Sequence, residues 1–231
     1  MHKRFRTKAI ILNRTDYGEA DRIISFLTPD HGKVKAIAKG VRKSQSKLAG
    51  GIELFSVSDI SFIPGRREIS TVVSTRLIKH YGNIVKDLDR TQLAYKLIKQ
   101  LDKATEDAPE TTYFDLLQEA FAALDDFAVS TDLTELWFNM QLLRLAGHTP
   151  DLRTDTAGNK LSPDQKYNFD FEKMRFTQEG WGKFTADQIK FLRLGFSPNT
   201  PHALSRIKGS DKLLPTLQPM VQSMLQNYIR I

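Results

Sequence analysis

The fold is decided by residues 22–41, RIISFLTPDHGKVKAIAKGV, in which two short apolar runs flank a turn. The runs Arg22–Leu27 and Lys33–Val41 have the length and the β-branched or apolar content of strands. Between them, Pro29 presets φ and Gly32 permits a positive φ. The segment therefore predicts two strands joined by a turn.

Three further runs of the same character lie on either side of this segment: Phe5–Asn13, Leu54–Ile63 and Ser70–Ile78. Five short strands without a long helical pattern favour a small closed barrel of the oligonucleotide-binding (OB) type. Because a closed barrel has no free strand edges, five strands can be self-contained. We therefore predict an OB-type barrel over residues 1–80.

The apolar pattern changes to a helical period after residue 80. Asp89-Arg90-Thr91-Gln92 has the pattern of a capping box, which predicts a helix that starts at Asp89. Apolar residues then recur at spacings of three and four in three successive stripes, which indicates a helical bundle. The stripes are Leu93, Leu97 and Leu101; Phe114, Leu117, Phe121 and Leu124; and Leu133, Leu136, Met140 and Leu143.

Turn-forming residues interrupt the helical pattern between residues 148 and 176, where a loop with a short hairpin is predicted. A second capping box, Thr185–Gln188, restarts the helices, and the last helix is predicted over Leu217–Ile229. The predicted fold class is α+β. It comprises an N-terminal five-stranded OB-type β-barrel (residues 1–80), an all-α helical bundle domain (81–147 and 177–231) and a hairpin insertion (148–176).

Positive charge is concentrated at the start of the chain. The 231 residues have a formal net charge of +7, but residues 1–80 contain 16 basic and 7 acidic side chains. Residues 81–160 are acidic overall, with 8 basic and 14 acidic side chains. A positive region of this kind is typical of proteins that bind polyanions, of which nucleic acid is the commonest.

The third predicted strand gives this charge a geometry. Lys33, Lys35 and Lys39 occupy alternate positions, so they share one face of a strand, and the small apolar residues between them share the other. Cations at every second strand residue are about 7 Å apart, a spacing that can follow the phosphates of an extended strand. The alternative is a strand face that the lysines protect against edge pairing.

The same strand leads into a basic loop, which we interpret as a mobile cationic arm. Two more arginines occupy the tip of the Pro64-Gly65 turn. The predicted DNA-binding residues are Lys33, Lys35, Lys39, Arg42, Lys43, Lys47, Arg66 and Arg67.

Motifs for catalysis, cofactors and metals are missing from the sequence. The chain has no cysteine, which excludes disulfides and thiolate metal sites. It has no phosphate-binding glycine motif, and its five histidines are scattered. The acidic group Asp16, Glu19 and Asp21 is interpreted as a solvated turn rather than a metal site. We predict no enzyme activity, no cofactor and no metal.

No stretch of the chain approaches the ~20 apolar residues of a membrane span. The basic N-terminus is followed by only four apolar residues, Ala9–Leu12, too few for a secretory signal. We therefore expect a cytoplasmic, nucleoid-associated protein.

Several segments resemble the RecO family of bacterial DNA repair and recombination mediators. The resemblance is strongest in Thr7–Leu12, Tyr17–Asp21 and the element Ala38-Lys39-Gly40-Val41-Arg42. It extends to Trp137–Leu152, which is similar to the family's central helix and following turn. The order of a basic barrel and then helices also resembles this family.

The resemblance implies a non-enzymatic mediator that binds single- and double-stranded DNA and anneals complementary strands. It implies assistance in loading the RecA recombinase on strands coated by single-strand-binding protein. The implied partners are DNA, RecR, the acidic C-terminal tail of single-strand-binding protein and, indirectly, RecA, with no membrane. Lys35, Lys39, Arg42 and Lys43 align with the family's basic strand and loop, and Arg144 is a candidate for binding the tail.

The chain departs from the family in one respect. Many members carry a four-cysteine zinc module after the central helix, whereas Arg153–Phe171 contains no cysteine. The predicted hairpin is therefore zinc-less, and Asp151, Asp155 and Asp164 are candidate ligands for a hard cation there. An alternative function also stays open, a protein-interaction adaptor whose OB barrel does not bind DNA directly.

Overall fold

Five strands near the start of the chain close into a barrel, which confirms the predicted fold class. The computed structural model describes residues 3–65, 69–104 and 111–229. The barrel strands are β1 (Phe5–Tyr17), β2 (Asp21–Thr28), β3 (Gly32–Ala38), β4 (Ser56–Ile63) and β5 (Ile69–His80).

The strands follow one another around the barrel in the order β1-β2-β3-β5-β4. Pairing of β1 with β4 closes the ring, and β3 and β5 form its one parallel pair. β1 pairs with β4 over Phe5–Ile10 and with β2 over Ile10–Tyr17, and a register shift between Ile11 and Asn13 interrupts the pairing with β2. Such an irregularity bends a strand, and small barrels require bent strands.

The interior of the barrel is filled by every second residue of the five strands, together with apolar residues of the loop after β3. The buried residues include Ile24 and Phe26 of β2, Ala36 of β3 and Phe62 of β4. The rings of Phe26 and Phe62 meet edge to face, with their centroids 5.8 Å apart. Because inward and outward positions alternate along a strand, this core fixes which residues of β3 face solvent.

Two helices group with the barrel. The chain divides into two compact units, residues 1–126 and 127–231, so α1 (Leu88–Ala104) and α2 (Thr111–Asp125) belong to the first unit. Phe55, beside β4, contacts Tyr95 of α1 and Phe121 of α2 through ring edges. The sequence instead assigns these helices to the helical domain that follows residue 80.

The predicted capping box at Asp89 is wrong. The carboxylate of Asp87 accepts a hydrogen bond from the Arg90 backbone N–H at 2.9 Å, and the Asp87 carbonyl accepts one from Thr91. Asp87 therefore caps α1, which begins at Leu88. A single 3₁₀ turn over Ile84–Lys86 places Asp87 at this position.

The second unit contains four helices in its described residues. They are α3 (Thr131–Leu145), α4 (Ala186–Gly195), α5 (Pro201–Ser205) and α6 (Ser210–Tyr228). The predicted box at Thr185 and Gln188 is confirmed, since each side chain bonds to the other's backbone N–H. None of the described helices is long and apolar enough to cross a bilayer.

The last helix is longer than predicted. It begins at Ser210 rather than Leu217 and contains Pro215 and Pro219, both of which are exposed. An interior proline removes one helical hydrogen bond. Burial of Leu214 and Leu217 on the opposite side outweighs that loss.

The insertion is a three-stranded sheet and not only a hairpin. Its strands are β6 (Asp151–Asp155), β7 (Tyr167–Asp170) and β8 (Arg175–Gln178), in the order β6-β8-β7. β7 and β8 form the predicted hairpin, and β6 pairs with β8 in parallel. The rings of Phe169 and Phe176 pack together in this sheet, with their centroids 5.1 Å apart.

Candidate nucleic-acid interface

The lysines of β3 project from the outer face of the barrel. Lys33 and Lys35 are exposed, whereas Ala36 and Ala38 are fully buried. Lys39 is also exposed but follows the strand, because β3 ends at Ala38 and not at the predicted Val41. The alternation expected from the sequence is thus present.

A tight turn after β3 holds the next cations. Gly40 has a φ of +64°, and its N–H donates to Oδ1 of Asp21 at 2.7 Å. The Arg42 N–H donates to the Ala20 carbonyl, and the Lys43 N–H to the Gly40 carbonyl. The loop is therefore a series of turns anchored to the β1–β2 connection. It is not the free arm that the sequence predicts, because carboxylate and carbonyl acceptors from that connection meet its backbone.

Four lysines of this region form what we call the lysine surface: Lys35, Lys39, Lys43 and Lys47. All four are exposed, and none of them has an ion pair with another described residue. Their ammonium groups are available to phosphates.

Two of the predicted residues already have partners within the chain. Lys33 Nζ lies 2.8 Å from the Asp102 carboxylate of α1 and donates to the Asp102 carbonyl at 3.1 Å. Arg42 Nε lies 3.5 Å from Asp16. The Lys33 side chain keeps 28% of its surface accessible to solvent. Asp102 compensates the charge of Lys33, whereas the four lysines of the lysine surface have no such partner among the described residues.

Two carboxylates of the acidic group near β2 act on the loop. Asp16 accepts a hydrogen bond from Arg22 at 2.7 Å, and that bond holds the pKa of Asp16 below its ordinary value. Asp21 caps the Gly40 N–H, as described above. Both carboxylates thereby position the segment that carries Lys39 and Arg42.

The remaining predicted residues fall elsewhere. Arg66 and Arg67 lie outside the described residues. Arg144 of α3 is half-buried, and its Nε donates to Gln141 Oε1 at 2.9 Å. Gln141 in turn donates to the carbonyl of Gly195 at 2.6 Å. Arg144 therefore belongs to a hydrogen-bonded network of the second unit, and its role in partner binding stays a prediction.

The aspartates of the insertion are engaged with their own loops. Asp151 accepts from the Thr154 hydroxyl and the Arg153 N–H, and these bonds lower the pKa of its carboxyl. Asp155 accepts from the N–H groups of Ala157 and Asn159. Among the described residues, no group of three His, Asp or Glu side chains could hold a metal ion.

A second cationic surface was not predicted. A cavity of about 520 Å³ on the outer face of β1, β4 and β5 is what we call the arginine groove. Its lining consists of Arg4, Arg6, Asp59, Ser61, Ser74, Thr75 and Arg76. The lining residues are up to 72 positions apart in sequence, so no local sequence motif identifies them. The strand register alone brings Arg6, Asp59 and Arg76 together.

Comparisons with known proteins cover nearly the whole chain. The family model "Recombination protein O N terminal" matches residues 1–81, and "Recombination protein O C terminal" matches residues 85–230. The "DNA repair protein RecO" of one Dehalococcoides mccartyi strain is 37% identical over 228 residues, 95% of this chain and 88% of that protein.

Other relatives match a shorter region. The "DNA repair protein RecO" of a second D. mccartyi strain is 37% identical over 150 residues, which is 64% of this chain and 58% of that protein. The protein of the same name from Bifidobacterium longum subsp. infantis is 36% identical over 162 residues, 69% of this chain and 67% of that protein. With both family models matched in order on a barrel followed by helices, the chain belongs to the RecO family and has a role in DNA repair.

Proposed function

We propose that this protein is a non-enzymatic recombination mediator. It binds single- and double-stranded DNA, anneals complementary strands and assists RecA loading on strands coated by single-strand-binding protein. The observation that carries the proposal is the lysine surface, four exposed ammonium groups without ion-pair partners among the described residues. RecR and the acidic tail of single-strand-binding protein are the proposed protein partners.

Binding by the lysine surface is electrostatic. Each lysine that neutralises a phosphate releases a condensed counterion, which favours binding irrespective of base sequence. Two complementary strands repel each other through their phosphates. A surface that compensates part of this charge lowers the barrier to pairing without any covalent step.

Two carboxylates near the lysines have a structural role that supports binding. Asp16 accepts a hydrogen bond from Arg22, and Asp21 accepts one from the Gly40 backbone. Both therefore help to fix the loop that presents Lys39 and Lys43.

The test is a charge reversal of two lysines, Lys35→Glu with Lys39→Glu. Both side chains are exposed, so the double variant should fold and should lose affinity for oligonucleotides of any sequence. Fluorescence anisotropy with labelled single- and double-stranded DNA measures the change. The matched control, Lys208→Glu with Lys212→Glu, reverses two exposed charges of the second unit and should retain most of the affinity.

Equal affinity of the Lys35/Lys39 variant and the wild type would overturn the proposal. A wild-type protein without any DNA complex at physiological salt would favour the adaptor function instead. Annealing of complementary strands, with and without single-strand-binding protein, then tests the mediator role directly.

A further inference from the structure

The arginine groove holds more positive charge than its single carboxylate compensates. Arg6 Nε lies 3.0 Å from both oxygens of Asp59, and Arg76 lies 3.4 Å from one of them. Arg4 donates to the Ser74 hydroxyl at 3.0 Å. Two guanidinium groups thus contact the one carboxylate and a third lines the same groove, and the Arg6 and Arg76 side chains are 68% and 74% exposed. A guanidinium has five N–H donors, so most of these donors face solvent.

Asp59 orients the arginines and does not cancel them. Its side chain is only 14% exposed and lies at the base of the groove. The hydrogen bond from Arg6 keeps the pKa of Asp59 below its ordinary value, so the carboxylate stays ionised at neutral pH. Because Asp59 already restrains the two guanidinium planes, the arginines lose little rotamer entropy when a ligand binds.

The groove is separate from the lysine surface. Arg6 lies on β1 and Asp59 on β4, and neither strand pairs with β3, which carries Lys35. The third strand of the groove, β5, pairs with β3 over Ile69–Thr71, whereas its groove residues are the later Ser74–Arg76. Lys35 and the arginines of the groove therefore project from different parts of the barrel wall.

The chemistry of the groove fits a sugar-phosphate backbone. Every lining residue is charged or carries a hydroxyl. Guanidinium and hydroxyl groups are frequent partners of nucleic-acid phosphates. A protein segment would need apolar anchors at the centre of its interface, and the described residues of the lining include no apolar side chain.

We propose that the arginine groove is a second DNA-binding surface, which holds one strand while the lysine surface holds another. This inference rests on the proposed function, since it takes the lysine surface as the first site. One molecule can then carry two strands at once, which raises the local concentration of each for the other.

The experiment counts strands per protein chain. Two non-complementary oligonucleotides with different dyes are added in excess at low salt, and sedimentation velocity records both dyes on the protein peak. The wild type should bind two strands per chain. Arg4→Ala with Arg76→Ala should bind one, with its affinity for the first strand unchanged within about twofold, because distant sites act independently. The matched control Lys208→Ala with Lys212→Ala should still bind two.

A second variant reverses the expected change. Asp59→Asn keeps a carbonyl oxygen that can accept from Arg6 but removes the one carboxylate among the described lining residues. With the arginines still held and the negative charge gone, the second strand should bind more tightly than in the wild type. Circular dichroism and thermal unfolding show that each variant is folded before its stoichiometry is measured.

Two strands per chain in the Arg4/Arg76 variant would overturn the inference. So would one strand per chain in the wild type. Loss of affinity for a poly-glutamate peptide in that variant, with two strands still bound, would assign the groove to an acidic protein. Failure of the proposed function would give a different result. In that case the Lys35/Lys39 variant would still bind its first strand, whether or not the groove is intact.

Discussion

Lys33 and Lys35 are neighbours on one face of β3 and differ in what they can bind. Lys33 is paired with Asp102 of α1, whereas Lys35 has no ion-pair partner among the described residues. An exposed pair contributes little to stability. It does, however, place a carboxylate where a phosphate would otherwise bind. The difference arises from a contact across 69 sequence positions.

This contrast gives a prediction for single substitutions. Lys35→Ala should weaken binding of single-stranded DNA several-fold, the loss of about one phosphate contact. Lys33→Ala should weaken it less, because Asp102 already compensates that charge. Asp102→Asn should free Lys33 and increase the affinity. Fluorescence anisotropy at one fixed salt concentration compares the three variants, and equal losses for the two lysines would contradict the assignment.

At the level of residues, sequence reasoning succeeds where a local period governs. Alternation along β3 predicts which lysines face outward, because a strand allows only two faces. The sequence does not reveal that Asp102 reaches Lys33, or that Arg6 and Arg76 share Asp59. Those contacts depend on strand register and helix docking, for which no local signal exists.

Among the elements, the strands and the capping box of α4 follow from sequence, while two helix starts do not. Asp87 and Asp89 are both acceptable caps, and the choice of Asp87 depends on the 3₁₀ turn before it. Pro215 argues against a helix before Leu217, yet burial of Leu214 extends α6 to Ser210. Tertiary packing decided both cases.

The sheet of the insertion depends on carboxylate-capped turns, which makes it sensitive to acid. The pKa of Asp151 is lowered first by the Thr154 hydroxyl and then by the Arg153 N–H. A depressed carboxyl pKa stabilises the fold above the unfolded value of about 3.9, and the stabilisation is lost as the pH falls through the folded pKa. The free energy of unfolding should therefore decrease below about pH 4.

Asp151→Ala tests this origin of the acid sensitivity. The variant should be less stable than the wild type at pH 7, and the difference should shrink as the pH is lowered toward 3. Urea unfolding at several pH values, followed by tryptophan fluorescence, measures both. Asp164→Ala is the matched control, since Asp164 is exposed in the same insertion and should leave the curve unchanged. A constant difference at every pH would disprove the assignment.

For the whole molecule, the uneven charge predicts how DNA binding depends on salt. Single-stranded binding changes with log salt by a slope of about −0.7 per neutralised phosphate. If each residue of the lysine surface neutralises one phosphate, the slope should be near −3. Lys35→Gln with Lys39→Gln should flatten it by about 1.4. Anisotropy titrations at four or more salt concentrations give both slopes, and an unchanged slope in the variant would place the phosphates elsewhere.

The closed ring of five strands also determines how neighbouring copies can meet. Because β1 pairs with both β2 and β4, the ring is closed and every barrel strand has a paired neighbour on each side. Sheets of different molecules join into fibres through unpaired edge strands, and none of the five described barrel strands is one. Barrels of neighbouring copies would therefore meet through side chains. Edge strands that could extend a ladder from one copy to the next lie instead in the insertion, at β6 and β7 of its open sheet.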